Sequence, residues 1–274
     1  MVLCELLCGS LRYNLLFSIV GWISETHPPF ERAFGGCATL IHPTCFISIQ
    51  IQQPKIVIMI MKKHQQEFLS FAIENDVLKF GEFILKSGRK SPYFFNFGLF
   101  QTGSSLSKLG DYYAQAIVDS GVEFDMLFGP AYKGIPLVSV IAATLYEKHN
   151  RDYPYAYNRK EVKDHGEGGN IVGAPLEGKV LIIDDLISAG TAIREAADIV
   201  SDNNAQLAGI AISIDRQEKG QGELSAVQEV EKQYGISVIH IIALKDVIQH
   251  IEAVINDTEL LKRISAYREK YGVE

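Results

Sequence analysis

The sequence predicts an α/β fold, a mostly parallel central sheet flanked by helices. Three observations carry this. Largely apolar runs recur between residues 124 and 242, at Phe124–Phe128, Tyr153–Tyr157, Val180–Ile183, Leu207–Ile214 and Val238–Ile242. Segments of helical length alternate with them, the pattern of strand–helix–strand units. The run Val180–Ile183 is continuously aliphatic, as suits a strand covered on both faces. At 47% hydrophobic and 22% charged, the 274 residues have the composition of a soluble folded chain.

Residues 1–60 stand apart. They contain all four cysteines (Cys4, Cys8, Cys37, Cys45) and the only tryptophan, Trp22. Their charges, Glu5, Arg12, Glu25, Glu31, Arg32 and Lys55, cancel, so the net charge of −7 belongs to the remainder. The apolar run Leu15–Ile23 is shorter than the roughly 20 residues of a spanning helix. It also lacks the basic start of a signal peptide, since Glu5 precedes it and Arg12 is its one basic neighbour. A second run, Ile56–Ile60, ends against Met61-Lys62-Lys63. No motif joins these pieces. The plainest reading is that the chain starts at Met61 and that residues 1–60 are an upstream over-extension. The alternative is a real but variable extension of unknown role, and N-terminal sequencing of the native protein separates the two. The cysteine-free remainder offers neither disulfides nor a thiolate zinc site. Its acidity argues against nucleic acid and anionic membranes as partners.

From Met61 the elements follow in order. Gln65–Asp76 carries Phe68, Leu69, Phe71, Ala72 and Ile73 at helical spacing. Phe80–Asn96 reads as a hairpin-like pair of strands about a Ser87-Gly88-Arg89-Lys90 turn. A helix over Leu106–Ser120, a strand over Phe124–Phe128 and a loop over Gly129–Gly134 come next. Pro136 suits the first turn of a helix running to Tyr146. After the strand at Tyr153–Tyr157, Arg159–Pro175 is polar with four glycines and reads as a mobile lid. The strand Val180–Ile183, a helix opening near Ile193, the strand Leu207–Ile214, a helix over Glu223–Tyr234 and the strand Val238–Ile242 complete the alternation. Helical segments near 245–254 and 258–271 close the chain.

The chemistry concentrates after Val180–Ile183. Asp184 and Asp185 stand where the strand ends, followed by the small, hydroxyl-bearing turn Ser188-Ala189-Gly190-Thr191-Ala192 and a helix start. In open α/β sheets ligands bind beyond the carboxyl ends of the strands. A helix N-terminus there offers free N–H groups and partial positive charge to a phosphate. Paired carboxylates suit sugar hydroxyls or a magnesium ion. The combination reads as a phosphorylated-sugar site. Gly129-Pro130-Ala131-Tyr132-Lys133-Gly134 places a lysine among small residues before a helix, suited to a pyrophosphate. Arg159, Lys160, Lys163 and His165 put three cations and a histidine within seven residues, ahead of a glycine-rich hinge. That composition suits an arm closing on an anion.

The stretch from Val180 to Ala192 resembles the signature of the type I phosphoribosyltransferases, which bind phosphoribosyl pyrophosphate (PRPP). Residues 61–274 as a whole resemble the bacterial orotate phosphoribosyltransferase family. The segments that carry this are Phe80-Gly81-Glu82-Phe83, Ser87–Asn96, Gly129–Gly134, Arg159-Lys160-Glu161, Lys163–Gly168 and Asp215-Arg216-Gln217-Glu218. The resemblance does not reach residues 1–60. It implies a small hood subdomain mainly over 61–100, a PRPP-binding core over about 105–245, and C-terminal helices to 274. It also implies transfer of the phosphoribosyl group from PRPP to orotate in pyrimidine biosynthesis. Lys86 would lie near both substrates, with Phe94 and Phe95 forming the hood over the orotate ring. Tyr132 and Lys133 would meet the pyrophosphate, joined by Arg159, Lys160, Lys163 and His165. Asp184 and Asp185 would hold the ribose hydroxyls, Ser188–Ala192 the 5-phosphate, with Leu186 and Ile187 also substrate-binding, and Arg216 the orotate carboxylate. Lys163, His165, Asp184 and Asp185 would be the catalytic set. Magnesium would arrive mainly through PRPP, near the aspartates.

The resemblance further implies a cytoplasmic homodimer whose 159–170 loop is shared across the interface. Ser188 departs from the threonine common in the family and keeps the hydroxyl. Two other readings stand beside this one: a phosphoribosyltransferase for another base, and a non-catalytic PRPP-sensing regulator. The hood segment and Arg216 oppose the first. The acidic chain, without a helix-turn-helix segment, opposes the second.

Overall fold

The computed structural model describes residues 61–85, 88–163, 169–188, 190–220 and 222–273. Side chains at 161–163 and 169 are outside that description, as are Lys86, His165, Ala189 and the whole of residues 1–60 with the reading made of them.

The helices are α1 (Lys63–Glu74), α2 (Gly103–Ser120), α3 (Gly134–His149), α4 (Thr191–Asp202), α5 (Ala226–Tyr234), α6 (Leu244–His250) and α7 (Thr258–Tyr271). The strands are β1 (Leu78–Ile84), β2 (Lys90–Phe95), β3 (Met126–Gly129), β4 (Tyr155–Lys163), β5 (Gly169–Gly173), β6 (Lys179–Ile183), β7 (Gln206–Asp215) and β8 (Ser237–Ala243). Six strands form one sheet in the order β5-β4-β3-β6-β7-β8, parallel except for β5, which runs antiparallel to β4.

The central strand β6 shows why the sheet is covered on both faces. Val180, Leu181, Ile182 and Ile183 are all fully buried. Successive side chains of a strand point to opposite faces. Leu181 and Ile183 therefore join one core with Leu109, Leu137, Ile141 and Leu145 from α2 and α3. Val180 and Ile182 join a second core with Ile193, Val200 and Val230 from α4 and α5. Each such burial contributes about 1.5–3 kcal/mol.

The hairpin of β1 and β2 is a separate two-stranded antiparallel sheet. The C-terminal helix completes it: α7 packs on β2, with Tyr267 edge-on to Tyr93 at 6.0 Å between ring centres, and Arg263 donates to the Gly81 carbonyl. The C-terminal helix α7 thus contributes to the packing of the β1–β2 hairpin.

Several element ends differ from the expectation. Helix α2 begins at Gly103, not Leu106, because Thr102 caps it by accepting from Ser105 N. Helix α5 begins at Ala226, not Glu223, because Ser225 caps it by accepting from Gln228 N. The largest correction concerns Arg159–Pro175. Its described part is paired strand rather than irregular loop: β4 continues to Lys163 and β5 returns antiparallel. The backbone ladder supplies an order that a polar sequence does not announce.

Candidate active site at the carboxyl ends of the central strands

The strand order fixes where a ligand can sit. From β3 the chain crosses through α3 to β4 on one side. From β6 it crosses through α4 to β7 on the other. The crossover direction reverses between β3 and β6, and a crevice opens at such a switch point. Both loops singled out from the sequence, 129–134 and 184–191, leave the sheet there.

Gly129 and Gly134 draw the first loop tight. A Cβ on Gly134 would lie 2.7 Å from the Gly129 carbonyl carbon and 2.9 Å from the Ile183 oxygen. Backbone surrounds that position on both sides, so the loop closes against the end of β6 only without a side chain. This packing brings Lys133 to Asp185, where ammonium and carboxylate form an ion pair. The Ala131–Tyr132 peptide bond is cis, and Tyr132 stands 66% exposed.

The arm joins at the same edge. Strand β4 pairs with β3 only from Tyr155 to Tyr157 and then runs on past it. Asn158, at that point, accepts from Ala131 N at 2.7 Å. Two residues further, the Lys160 ammonium lies 5.5 Å from the centre of the Tyr132 ring. The pyrophosphate-type loop and the arm therefore already meet within one chain. Asn158, just before the basic segment that opens at Arg159, ties them.

The aspartates are set by buried groups from other elements. Tyr113 of α2 donates its hydroxyl to the Asp184 carbonyl at 2.7 Å, and burial raises the tyrosine well above its ordinary pKa, so it remains a donor. Ser213 of β7 donates through both its backbone N and its hydroxyl to the Asp185 carbonyl. Asp184 Oδ1 accepts from Asp185 N at 2.8 Å. Neither Tyr113 nor Ser213 stood out in the sequence, because a helix-face tyrosine and a strand serine carry no signal until the chain folds.

Both carboxylates are nearly buried, at 8% and 6% exposure. Burial, and next the Asp185 carboxylate, push Asp184 from 3.8 to about 7. A raised carboxyl pKa means the native state holds a proton that the unfolded chain has released. Stability is therefore lost as pH rises from about 4 towards 7. Asp184→Asn is expected to raise Tm by about 2–4 °C at pH 8. The gain should shrink as pH falls towards 4, as read by thermal unfolding across that range.

Helix α4 starts at Thr191 after Gly190, whose φ of 70° lies in the left-handed region, and no side chain caps the helix. Ser188, Thr191 and Ala192, beside and within its first turn, are exposed. Ile187 is buried in the second core and Leu186 is half-buried against the first, so these two offer a ligand chiefly backbone.

At the hood the two phenylalanines part company. Adjacent strand residues point opposite ways. Phe94 is 39% exposed and stacks on Phe83 at 5.5 Å, whereas the Phe95 ring is buried among Phe68 and Phe97. Only Phe94 presents a ring, and Phe95 can offer its backbone. Arg216, at the end of β7, donates from Nη2 to Glu218 at 2.7 Å and lies over the Tyr93 ring.

Residues 99–246 match the phosphoribosyl transferase domain family. The orotate phosphoribosyltransferase of Klebsiella pneumoniae (strain 342) is 60% identical over 213 residues, 78% of this chain and 100% of that protein. The protein of that name from Vibrio cholerae serotype O1 is 59% identical over the same shares. A crystal structure of orotate phosphoribosyltransferase from Francisella tularensis superposes with a TM-score of 0.70 at 47% identity, covering 75% of this chain and 99% of that one. With a two-acid strand end, a lysine loop and an uncapped helix converging at the switch point, this chain belongs to the orotate phosphoribosyltransferase family of the type I phosphoribosyltransferases.

Proposed function

We infer that this chain transfers the phosphoribosyl group from PRPP to orotate, giving orotidine 5-monophosphate and pyrophosphate in the synthesis of UMP. The observation that carries the reading is the crevice between β3 and β6, where a lysine, two carboxylates and a helix N-terminus stand together. The 5-phosphate sits on the first N–H groups of α4, with Ser188–Ala192 around it. The ribose hydroxyls donate to Asp184 and Asp185. Tyr132 and Lys133 meet the pyrophosphate, and Arg159, Lys160, Lys163 and His165 close over it. The orotate ring lies by Phe94 and the Phe95 backbone, within reach of Lys86, and its carboxylate pairs with Arg216.

The bond from the anomeric carbon to pyrophosphate breaks ahead of full bonding to the base nitrogen. The transition state resembles an oxocarbenium ion, as in glycoside cleavage. The protein's work is to align the two reactants and to stabilise charge on the departing pyrophosphate. Closure of the arm excludes the water that would hydrolyse PRPP.

Among the described residues no three His, Cys, Asp or Glu side chains converge to cage a metal. Two neighbouring buried carboxylates, one with a raised pKa, nevertheless fit beside a magnesium that PRPP carries in with its own oxygens and waters. Bound there, magnesium would supply charge neutralisation at the pyrophosphate.

We further propose a homodimer in which the arm, projecting beyond β3, reaches the partner's site. We place the protein in the cytoplasm, since phosphorylated substrates do not cross membranes unaided. Among the described residues no helix is long and apolar enough to span one.

Mixing the protein with orotate, PRPP and magnesium tests the function through the loss of orotate absorbance. Consumption of orotate but not of uracil or purine bases is expected, with a fall of about 100-fold or more when a chelator removes the metal. Orotate left untouched while another base is consumed would overturn the assignment.

A further inference from the structure

Glu218 lies outside the roles derived above, although its sequence segment includes Arg216. Its side chain is 12% exposed and its oxygens are all engaged. One oxygen, Oε1, accepts from the Tyr93 hydroxyl at 2.6 Å and from Arg216 Nη2 at 2.7 Å. The other, Oε2, faces Arg89 Nη1 at 3.8 Å. Tyr93 is fully buried and immediately precedes Phe94 and Phe95 on β2. A single carboxylate oxygen therefore joins the strand that carries the hood phenylalanines to the loop that carries the base-binding arginine.

The geometry of the guanidinium shows what the junction does. The Nε–Nη2 edge of Arg216 is occupied: Nη2 donates to Glu218, and Nε points at the Tyr93 hydroxyl at 3.5 Å. Among the described residues no partner is found for Nη1. A planar fork held along one edge presents its Nη1–Nη2 end in a fixed direction, and that end suits bidentate pairing with a carboxylate. The loop is anchored from behind as well. Arg89 donates to the Lys219 carbonyl with both terminal nitrogens at 3.2 Å and lies over the Tyr271 ring. Glu218 itself forms a bridge with Gly272.

We propose that Glu218 is a positioning residue for orotate specificity: through Arg216 and Tyr93 it sets the direction of the guanidinium and fixes it relative to the hood. The proposal rests on the reading that Arg216 takes the orotate carboxylate. It also makes a sign prediction that simple electrostatics does not. If Glu218 merely competed for the arginine's charge, removing it would tighten orotate. Because it orients the fork, removing it weakens orotate.

The test compares binding of orotidine 5-monophosphate with that of UMP, which differs by lacking the carboxylate, in Glu218→Ala, Glu218→Gln and Arg216→Ala, with Tm measured for each. In Glu218→Ala the preference for the carboxylated nucleotide is expected to fall about tenfold, with UMP affinity unchanged. The Gln variant, whose amide oxygen can still accept from both partners, should recover part of it. Equal weakening of both nucleotides in Glu218→Ala would reduce Glu218 to a fold-holding role and overturn the proposal. So would tighter binding of orotidine 5-monophosphate in both Glu218 variants. If Arg216→Ala left the preference intact, the underlying reading of Arg216 would fail instead, and the two failures are thereby distinguished.

Discussion

Replacing Arg216 by alanine should raise the Michaelis constant for orotate by about 100-fold while leaving PRPP binding within about twofold. The guanidinium is three-quarters buried, at 25% side-chain exposure, so a carboxylate paired with it is poorly screened by water. Truncation removes a charge-assisted pair. It also takes from Glu218 the guanidinium at 2.7 Å and leaves the more distant Arg89 facing its other oxygen, which deepens the loss. Uracil-like bases, which lack the carboxylate, should lose far less. The measurement is initial rate against orotate at saturating PRPP, set beside a base panel. Orotate use equal to that of the unaltered protein would reject the assignment. Lysine at the same place should not restore function, since a point charge reproduces neither the fork nor its stacking over Tyr93.

Lys163→Ala should lower turnover by about 100- to 1,000-fold and change PRPP affinity by no more than a few fold. The reason lies in where β4 ends. The strand leaves β3 behind at Tyr157 and reaches Lys163 six residues later, on the part of the arm beyond the pairing with β3. A cation on the far part of the arm meets the pyrophosphate only once the arm has closed. Its contribution then appears in the transition state rather than in the initial complex, and such contributions lower kcat when lost. Single-turnover rates and equilibrium binding of PRPP separate the two effects. An unchanged kcat with a raised Michaelis constant would reject the reading.

Strand–helix alternation was legible because continuous aliphatic runs such as Val180–Ile183 have few other uses, and the Asp184–Asp185 pair was legible because acids at the end of such a run are out of place in a core. The arm was misread because β5 is held by backbone pairing, not by an apolar pattern. The opposed directions of Phe94 and Phe95 follow from the pleat, so that difference could have been drawn from the strand assignment itself. The network of Tyr93, Glu218 and Arg216 could not: its two carriers lie 125 residues apart in sequence and meet only when β2 docks beside the end of β7.

The hood's dependence on α7 has a consequence for how the molecule comes into being. Arg263 reaches back across 182 residues to Gly81, and Tyr267 packs on Tyr93. A nascent chain leaving the ribosome finishes β3, β6 and α4 well before α7 emerges. The crevice between β3 and β6 can be assembled at that stage, but the packing of the β1–β2 hairpin waits for the last helix. Premature termination before α7 would accordingly leave the β1–β2 hairpin without the helix that packs on it.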